Sequence, residues 1–466
     1  MKYSAVAAAL ALFLSGCTMG PNYKRPSIAM PEQFRAAQVP AQAADSIAET
    51  KWSELFPDDN LRQIVSTALE NNFDLRAAAE RVQQARAQLG IVRANQFPFF
   101  NGQAQWNATR ASTLGSLPFI AEGTDLKFAY TQAGVGASWD LDLWGRLRRL
   151  TESARAQYLA TEENRLALRV SLVGDVMNTY FTLLEQDLEL EIGRQTQNIA
   201  EDGLRLVKIR RDRGAATGLD VHQAEQLLYL ATAQIAGAQR AIEQTENALN
   251  LLLGQTPSGI TRGMNLRQIP VPAQLPAGLP AALIARRPDV RQAEQVLISA
   301  NAEIGAARAL YFPQISLTAF FGGQSRALRD LFTNAALTGN VAPSAVLPIF
   351  HAGQIRNNVR LTEAQQREML IRYQQTIYGA LRDVSDALVA HQRTTEQRDQ
   401  QQLLVTALAE SSRLSRLRYE GGLDSYLQVL DAQRNQFQGE LVLAQLRLLE
   451  LQTIVRLYSS LGGGWQ

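Results

Sequence analysis

At 466 residues, 46% hydrophobic and 19% charged, the chain is long enough for two or three ordinary domains or one extended one. That composition is neither disordered nor polytopic helical membrane protein. Its 46 Lys and Arg nearly balance 44 Asp and Glu, a formal net charge of +2, which lacks the clustered basic surplus that nucleic acid requires. Three scattered histidines (His222, His351, His391) and one cysteine cannot assemble a zinc or iron–sulfur site, a Cys–His nucleophile or a disulfide.

The chain opens on a secretion pattern. Lys2 supplies a positive start and Ala5 to Leu14 a short apolar run, too short for a bilayer span of roughly 20 residues. Leu14-Ser15-Gly16-Cys17 resembles the bacterial lipobox, which implies cleavage before Cys17, a diacylglyceryl group on its thiol and an acyl chain on its amine. Several chains anchor firmly where one is marginal. The next residue is Thr18 and not the Asp of inner-membrane retention, so the outer membrane is expected. Pro21, Pro26, Pro31 and Pro40 then punctuate a polar, alanine-rich stretch that reads as an extended tether.

The rest is one design written twice. Asp74-Leu75-Arg76 leads to Phe97-Pro98 as Asp289-Val290-Arg291 leads to Phe312-Pro313, at an offset of 215. Gly145-Arg146-Leu147-Arg148 pairs with Gly353-Gln354-Ile355-Arg356, and Leu219 to Ala224 with Leu427 to Ala432, both at 208. No proline occurs between Gly145 and Gly214 or between Gly353 and Gly421, which predicts helices of about 100 Å. In the last segment Leu423, Leu427, Leu430, Arg434, Phe437, Leu441, Ala444, Leu448, Leu451, Val455 and Tyr458 recur in steps of three and four, a seam of period 3.5 broken by one arginine. Its counterpart runs from Val221 to Leu252 with many small residues.

Between the helical parts the period becomes two. Phe100, Gly102, Ala104, Trp106 and Ala108 alternate with Asn101, Gln103, Gln105, Asn107 and Thr109. Lys127 to Trp139 and Gln314 to Phe321 alternate likewise, and Val341 to Phe350 reads as a fourth strand interrupted by Pro343 and Pro348. Taken singly, each alternating stretch fits a half-buried strand of a soluble sheet better; four of them in two hairpins, on an exported and lipid-anchored chain, point instead to transmembrane β-strands. Only a closed barrel satisfies its backbone in hydrocarbon, and four strands cannot close one. Two, three or four copies would give 8, 12 or 16 strands, and periodicity does not choose among them.

The expected division is 1–16 signal peptide and 17–55 lipid-anchored tether. Residues 99–143 and 313–350 are the two transmembrane hairpins. Residues 56–98 and 144–312 form first-repeat and connecting helical or equatorial regions, and 351–466 the second-repeat helices with a C-terminal equatorial segment.

Several stretches together resemble the TolC-like outer-membrane factors, in their OprM-like lipoprotein branch. They are Ala300 to Ala309 with Phe312-Pro313, Arg286-Arg287-Pro288-Asp289, Asp140-Leu141-Asp142-Leu143-Trp144-Gly145, Leu427 to Arg434 and Leu461-Gly462-Gly463-Gly464-Trp465. The resemblance covers the mature chain. It implies a mainly α fold with a small transmembrane β part: duplicated helix–hairpin–helix halves forming a trimeric 12-stranded β-barrel continuous with a long periplasmic α-barrel. It implies an exit duct of a tripartite efflux system, a passive conduit with no catalytic residue or cofactor beyond the lipid. Its partners would be outer-membrane lipid, a periplasmic adaptor and an inner-membrane pump, most often of the RND type. It also places a periplasmic constriction at Leu427 and Asp431, with Tyr419 and Arg434 as restraining partners. Some relatives carry a second Asp where this chain has Gln428, so a leucine collar with one acidic ring is expected. Alternatives are a general porin, disfavoured because strands take roughly a tenth of the chain, and a pore-less coiled-coil lipoprotein.

Overall fold

The computed structural model describes residues 18–35, 46–50, 52–110, 127–272 and 275–464. Residues 1–16, Cys17, residues 36–45 of the proline-punctuated tether with Pro40, and Trp465 lie outside them. The first half consists of α1 (Asp59–Asn71), α2 (Phe73–Ala94), β1 (Phe99–Arg110), β2 (Lys127–Leu141), α3 (Arg146–Asp212) and α4 (Gly218–Leu252). The second consists of α5 (Pro288–Ala309), β3 (Gln314–Ser325), β4 (Leu337–Val346), α6 (Gln354–Glu420) and α7 (Tyr426–Ser460). Helices α3 and α6 are both 67 residues, α4 and α7 both 35, α2 and α5 both 22, and β1 and β3 both 12. From α2 and α5 onward the halves thus repeat element for element at the two offsets of the sequence.

The chain divides into two compact units. The first takes Met1–Pro26, Gln83–Ala160 and Glu294–Arg372. Its centre is one antiparallel sheet of order β1-β2-β3-β4, with β1 and β4 at the edges. The register sorts the alternating residues by face. On one face lie the pairs Phe100–Ala137, Ala104–Ala133, Trp106–Thr131, Val135–Phe321, Trp139–Leu317, Ile315–Ala345 and Ala319–Val341. On the other lie Gln105–Gln132, Ser138–Thr318 and Ser316–Ser344, with Gln105 donating to Gln132 at 2.8 Å. Phe100, Trp106, Val135, Phe321 and Val341 are all exposed. The fourth strand begins at Leu337 and ends before Leu347, earlier than the stretch expected from 341 to 350. Pro343 sits inside it, opposite Leu317; on an edge strand its missing N–H is tolerated.

In the same unit the segment after Thr18 is seated against helix starts. The buried Arg149 guanidinium donates to the carbonyls of Met19 (3.1 Å) and Gly20 (3.4 Å) and to Asn22 Oδ1 (2.7 Å). Buried Glu294 receives Arg25 at 2.6 and 2.8 Å and the Tyr23 hydroxyl at 3.0 Å. A Cβ at Gly305 would stand 2.5 Å from the Met19 carbonyl oxygen, so only glycine admits the strap there.

The second unit takes Ser27–Val82, Thr161–Ala293 and Tyr373–Gln466. Its core joins Phe56, Leu61, Val65 and Ala68 to Val173, Val176, Met177, Tyr180 and Phe181 of α3 and to Leu441, Ala444, Leu451, Ile454 and Val455 of α7. From Leu430 onward the seam of α7 is largely buried, but Leu423, Leu427 and Arg434 are exposed. Among the described residues no helix is long and apolar enough to cross a membrane.

Candidate functional site

Two turns of equal design reverse the long helices within the second unit. Each ends a helix with a left-handed glycine, Gly214 at φ 73° and Gly422 at φ 72°. The Ala215 N–H donates to Arg210 O and Gly214 N–H to Arg211 O, at 2.8 and 2.9 Å. Leu423 and Gly422 donate to Arg418 O and Tyr419 O at 2.9 and 3.0 Å. Both are Schellman ends, which satisfy the last carbonyls of a helix and need a residue without a Cβ penalty. The following helices start unequally. Thr217 and Asp220 form a full capping box on α4, whereas Ser425 makes no side-chain cap on α7. The turn before α7 therefore lacks a restraint of about 1 kcal/mol that its twin has.

A small core sits beneath the turns, built from Ala200, Leu204 and Val207 of α3, Val221, Ala224 and Leu227 of α4, Tyr419 of α6, and Tyr426, Val429 and Leu430 of α7. Tyr419 is 6% exposed and meets Tyr426 edge-on at 5.3 Å. The Arg210 guanidinium lies 4.3 Å over the Tyr419 ring and donates to Tyr419 O and Glu420 O, each at 3.0 Å. A cation there meets both an aromatic face and the negative end of α6. Both hydroxyls of this tyrosine pair are buried without a partner among the described residues. Burial, then the Tyr419 hydroxyl, pushes Tyr426 up to about 12.

The sequence-derived candidates divide here. Leu427, 49% exposed, and Asp431 lie one turn apart on the open face of α7. Arg434 approaches Asp431 at 3.2 Å, and Asn435 donates to the other carboxylate oxygen at 3.2 Å. The Arg434 and Asp431 side chains are 59% and 55% exposed in the single chain; surface pairs of this kind contribute at most ~1 kcal/mol. Tyr419 is not brought to them and packs in the core instead. Cys17 lies outside the described residues. Sequence reasoning missed Arg210 and Tyr426. The duplication holds a signal for the first: its mate at offset 208, Arg418, pairs at 2.5 Å with Asp424 in its own turn, where the first half has Ala216. Arg210 has no such local carboxylate and reaches α6 instead.

Comparison with known proteins agrees with this arrangement of paired halves. The family described as Outer membrane efflux protein matches residues 64–255 and 279–463, one copy per half. The solvent efflux pump outer membrane protein SrpC of Pseudomonas putida is 38% identical over 100% of this chain and 99% of its own. The cation efflux system protein CusC of Escherichia coli K12 is 35% identical, covering 98% of each. Among solved structures, the open state of the Neisseria gonorrhoeae MtrE outer membrane channel superposes with a TM-score of 0.86 at 31% identity, covering 97% of this chain and 99% of that one. The outer-membrane channel OprN gives 0.89 at 29%, covering 96% and 100%.

Proposed function

The chain belongs to the outer membrane efflux protein family as an outer-membrane channel component, and we propose that it works as a lipid-anchored homotrimer. Three copies join their sheets edge to edge into one 12-stranded barrel that crosses the outer membrane. The observation that carries this reading is the sheet: four strands, one face continuously apolar and exposed, and two edges. In hydrocarbon those edges must be paired, and only closure does so. The long helices continue the duct into the periplasm, where an adaptor and an inner-membrane pump of the RND type deliver cargo. The channel conducts passively and carries out no catalysis; the pump sets the cargo, and solvents and metal cations are the classes named for SrpC and CusC.

Native mass spectrometry of the protein in mild detergent is expected to give a trimer. A monodisperse monomer would contradict barrel closure directly. The mature chain is further expected to begin at Cys17 with three acyl chains, seen as mass increments that Cys17→Ser abolishes. An unmodified Cys17 in membrane-extracted protein would sink the lipid anchor and leave the barrel standing.

A further inference from the structure

The duplication reaches into the sheet. Each β1 residue has its β3 twin 215 positions on, and each β2 residue its β4 twin 208 positions on. The ladders obey both offsets: the pair Gly102–Val135 across β1 and β2 becomes Leu317–Pro343 across β3 and β4. The seam between β2 and β3, where the first repeat meets the second, has no such twin inside the chain. Its residues at the helix end are covered, and their twins are bare. Leu141 and Ile315 face each other half-buried, whereas Ile349 and Phe100, which stand in their places, are 92% and 69% exposed. Phe312 is half-buried and stacked on Trp144 at 4.8 Å; its twin Phe97 is exposed, and Ala352 occupies the place of Trp144.

We propose that a second copy of this chain rebuilds the missing seam in one fixed register, with β4 of one copy facing β1 of the next as β2 faces β3 within each. The inference rests on the reading of the protein as a closed oligomeric barrel, and adds which residue meets which. Carried over by the two offsets, Val135–Phe321 becomes Pro343 opposite the next copy's Trp106, and Gly136–Phe320 becomes Ser344 opposite its Gln105. Ala137–Ala319 becomes Ala345 opposite Ala104, and Leu141–Ile315 becomes Ile349 opposite Phe100. The faces agree. Pro343 and Ala345 share the apolar side with Trp106 and Ala104, and Ser344 falls with Gln105 on the polar side. A slip of one residue would set Trp106 against Ser344 and reverse every pair. A slip of two keeps the faces but sets Ile349 against Pro98 or Gly102, and leaves Phe100 without its aliphatic partner. The contact is head-to-tail, and rotation about one axis closes it into a ring.

The test is oxidative cross-linking of paired cysteines in the full-length protein in membranes, read as covalent dimers and trimers on a denaturing gel. Directly opposite residues of an antiparallel pair have Cβ atoms about 4.5–5.5 Å apart, close to the roughly 4 Å a disulfide needs, whereas diagonal neighbours stand about 7–8 Å apart. Ser344→Cys with Gln105→Cys, and Ala345→Cys with Ala104→Cys, should therefore link roughly tenfold more than Ser344→Cys with Gln103→Cys or with Asn107→Cys. Each cysteine alone should not link. Stronger linking of a shifted pair, or equal linking of matched and shifted pairs, overturns the register. Native mass spectrometry separates the premise. Wild type found only as a monomer sinks the closed barrel, whereas an intact oligomer that links at a shifted pair, or at none, sinks the register alone. Where a cysteine pair prevents assembly, alanine at the foot of the seam decides. Ile349→Ala and Phe100→Ala should each lower the temperature at which the oligomer dissociates, and the double variant should fall no further than the lower of the two, as residues in contact do. Strict additivity would place the two side chains apart and overturn the contact.

Discussion

The Leu427→Ala, Asp431→Ala double variant is expected to conduct severalfold more current than wild type in planar bilayers and to admit bulky antibiotics to cells, with trimer yield unchanged. The reason is differential contact. A partner or mutation shifts a closed–open equilibrium only through interactions that differ between the two states. The Asp431–Arg434 pair at 3.2 Å is internal to one helix, so it persists whether the helix ends converge or splay and cannot itself hold the duct shut. Leu427 and the outward side of Asp431 are exposed in the single chain and are what neighbouring copies would meet at a closed tip. If each copy contributed ~1 kcal/mol, three copies would shift the equilibrium by roughly a hundredfold. Arg434→Ala alone should therefore conduct like wild type. Arg210→Ala should raise conductance, because Arg210 fastens the end of α3 to the last carbonyls of α6. Asp431→Ala should also weaken block by multivalent cations entering from the periplasmic side. Wild-type conductance and antibiotic exclusion in an assembled double variant would show the gate to lie elsewhere. A rise in Arg434→Ala as large as in Leu427→Ala would restore the ion pair as a restraint.

Much of this was legible before any coordinates, because two periodicities and one duplication carry long-range information in local patterns. Parity along β1 to β3 assigns faces that the register places together, since a strand shifted by one residue would turn Gln103 to the apolar face and every apolar partner to the polar one. The fourth strand was misplaced by several residues because Pro343 reads as a break, and sequence does not say that a strand is an edge. At the beginning of α7 the stripe does not track burial: Leu430 is buried in the small core with Tyr426 and Val429, while Leu427 and Arg434 on either side of it are exposed, so a place in the 3.5-residue repeat says less there than which neighbours lie across from each side chain. Arg210 was invisible to periodicity and emerges only when the repeats are laid over each other and Ala216 is found where Asp424 should be.

Asp58→Ala is expected to lower the heat resistance of the assembled protein sharply, while Asp59→Ala, one residue along, leaves it nearly unchanged. Asp58 is buried and one carboxylate serves four donors. Its Oδ1 caps α1 through the N–H groups of Asn60 and Leu61 at 2.9 and 3.2 Å, and its Oδ2 receives the Tyr180 hydroxyl at 3.0 Å and the Met264 N–H at 3.2 Å. Tyr180 in turn accepts from the Gly263 N–H at 3.0 Å, so the carboxylate ties α1, α3 and the connection after α4 into one knot. A Cβ at Gly263 would stand 2.2 Å from Oδ1, which leaves no slack for the loop to find another arrangement. Losing the cap costs about 1 kcal/mol, and each donor stranded in the core costs about 1–3 kcal/mol more, for a loss of about 3 kcal/mol or above. Tyr180→Phe should fall between, because it removes the hydroxyl and leaves the cap. Asp59, by contrast, is 94% exposed and pairs with Arg62 on the surface, a contact of a few tenths of a kcal/mol. The measurement is the temperature at which the oligomer dissociates at a fixed heating rate, since unfolding of such an assembly is read as a rate and not as an equilibrium. Single-channel conductance of the surviving Asp58→Ala protein should match wild type, because the knot sits far along the chain from the turns at Gly214 and Gly422. Equal heat resistance of Asp58→Ala and Asp59→Ala would mean that the carboxylate is dispensable and that the apolar contacts of Phe56, Leu61 and Phe181 alone hold α1 to α3.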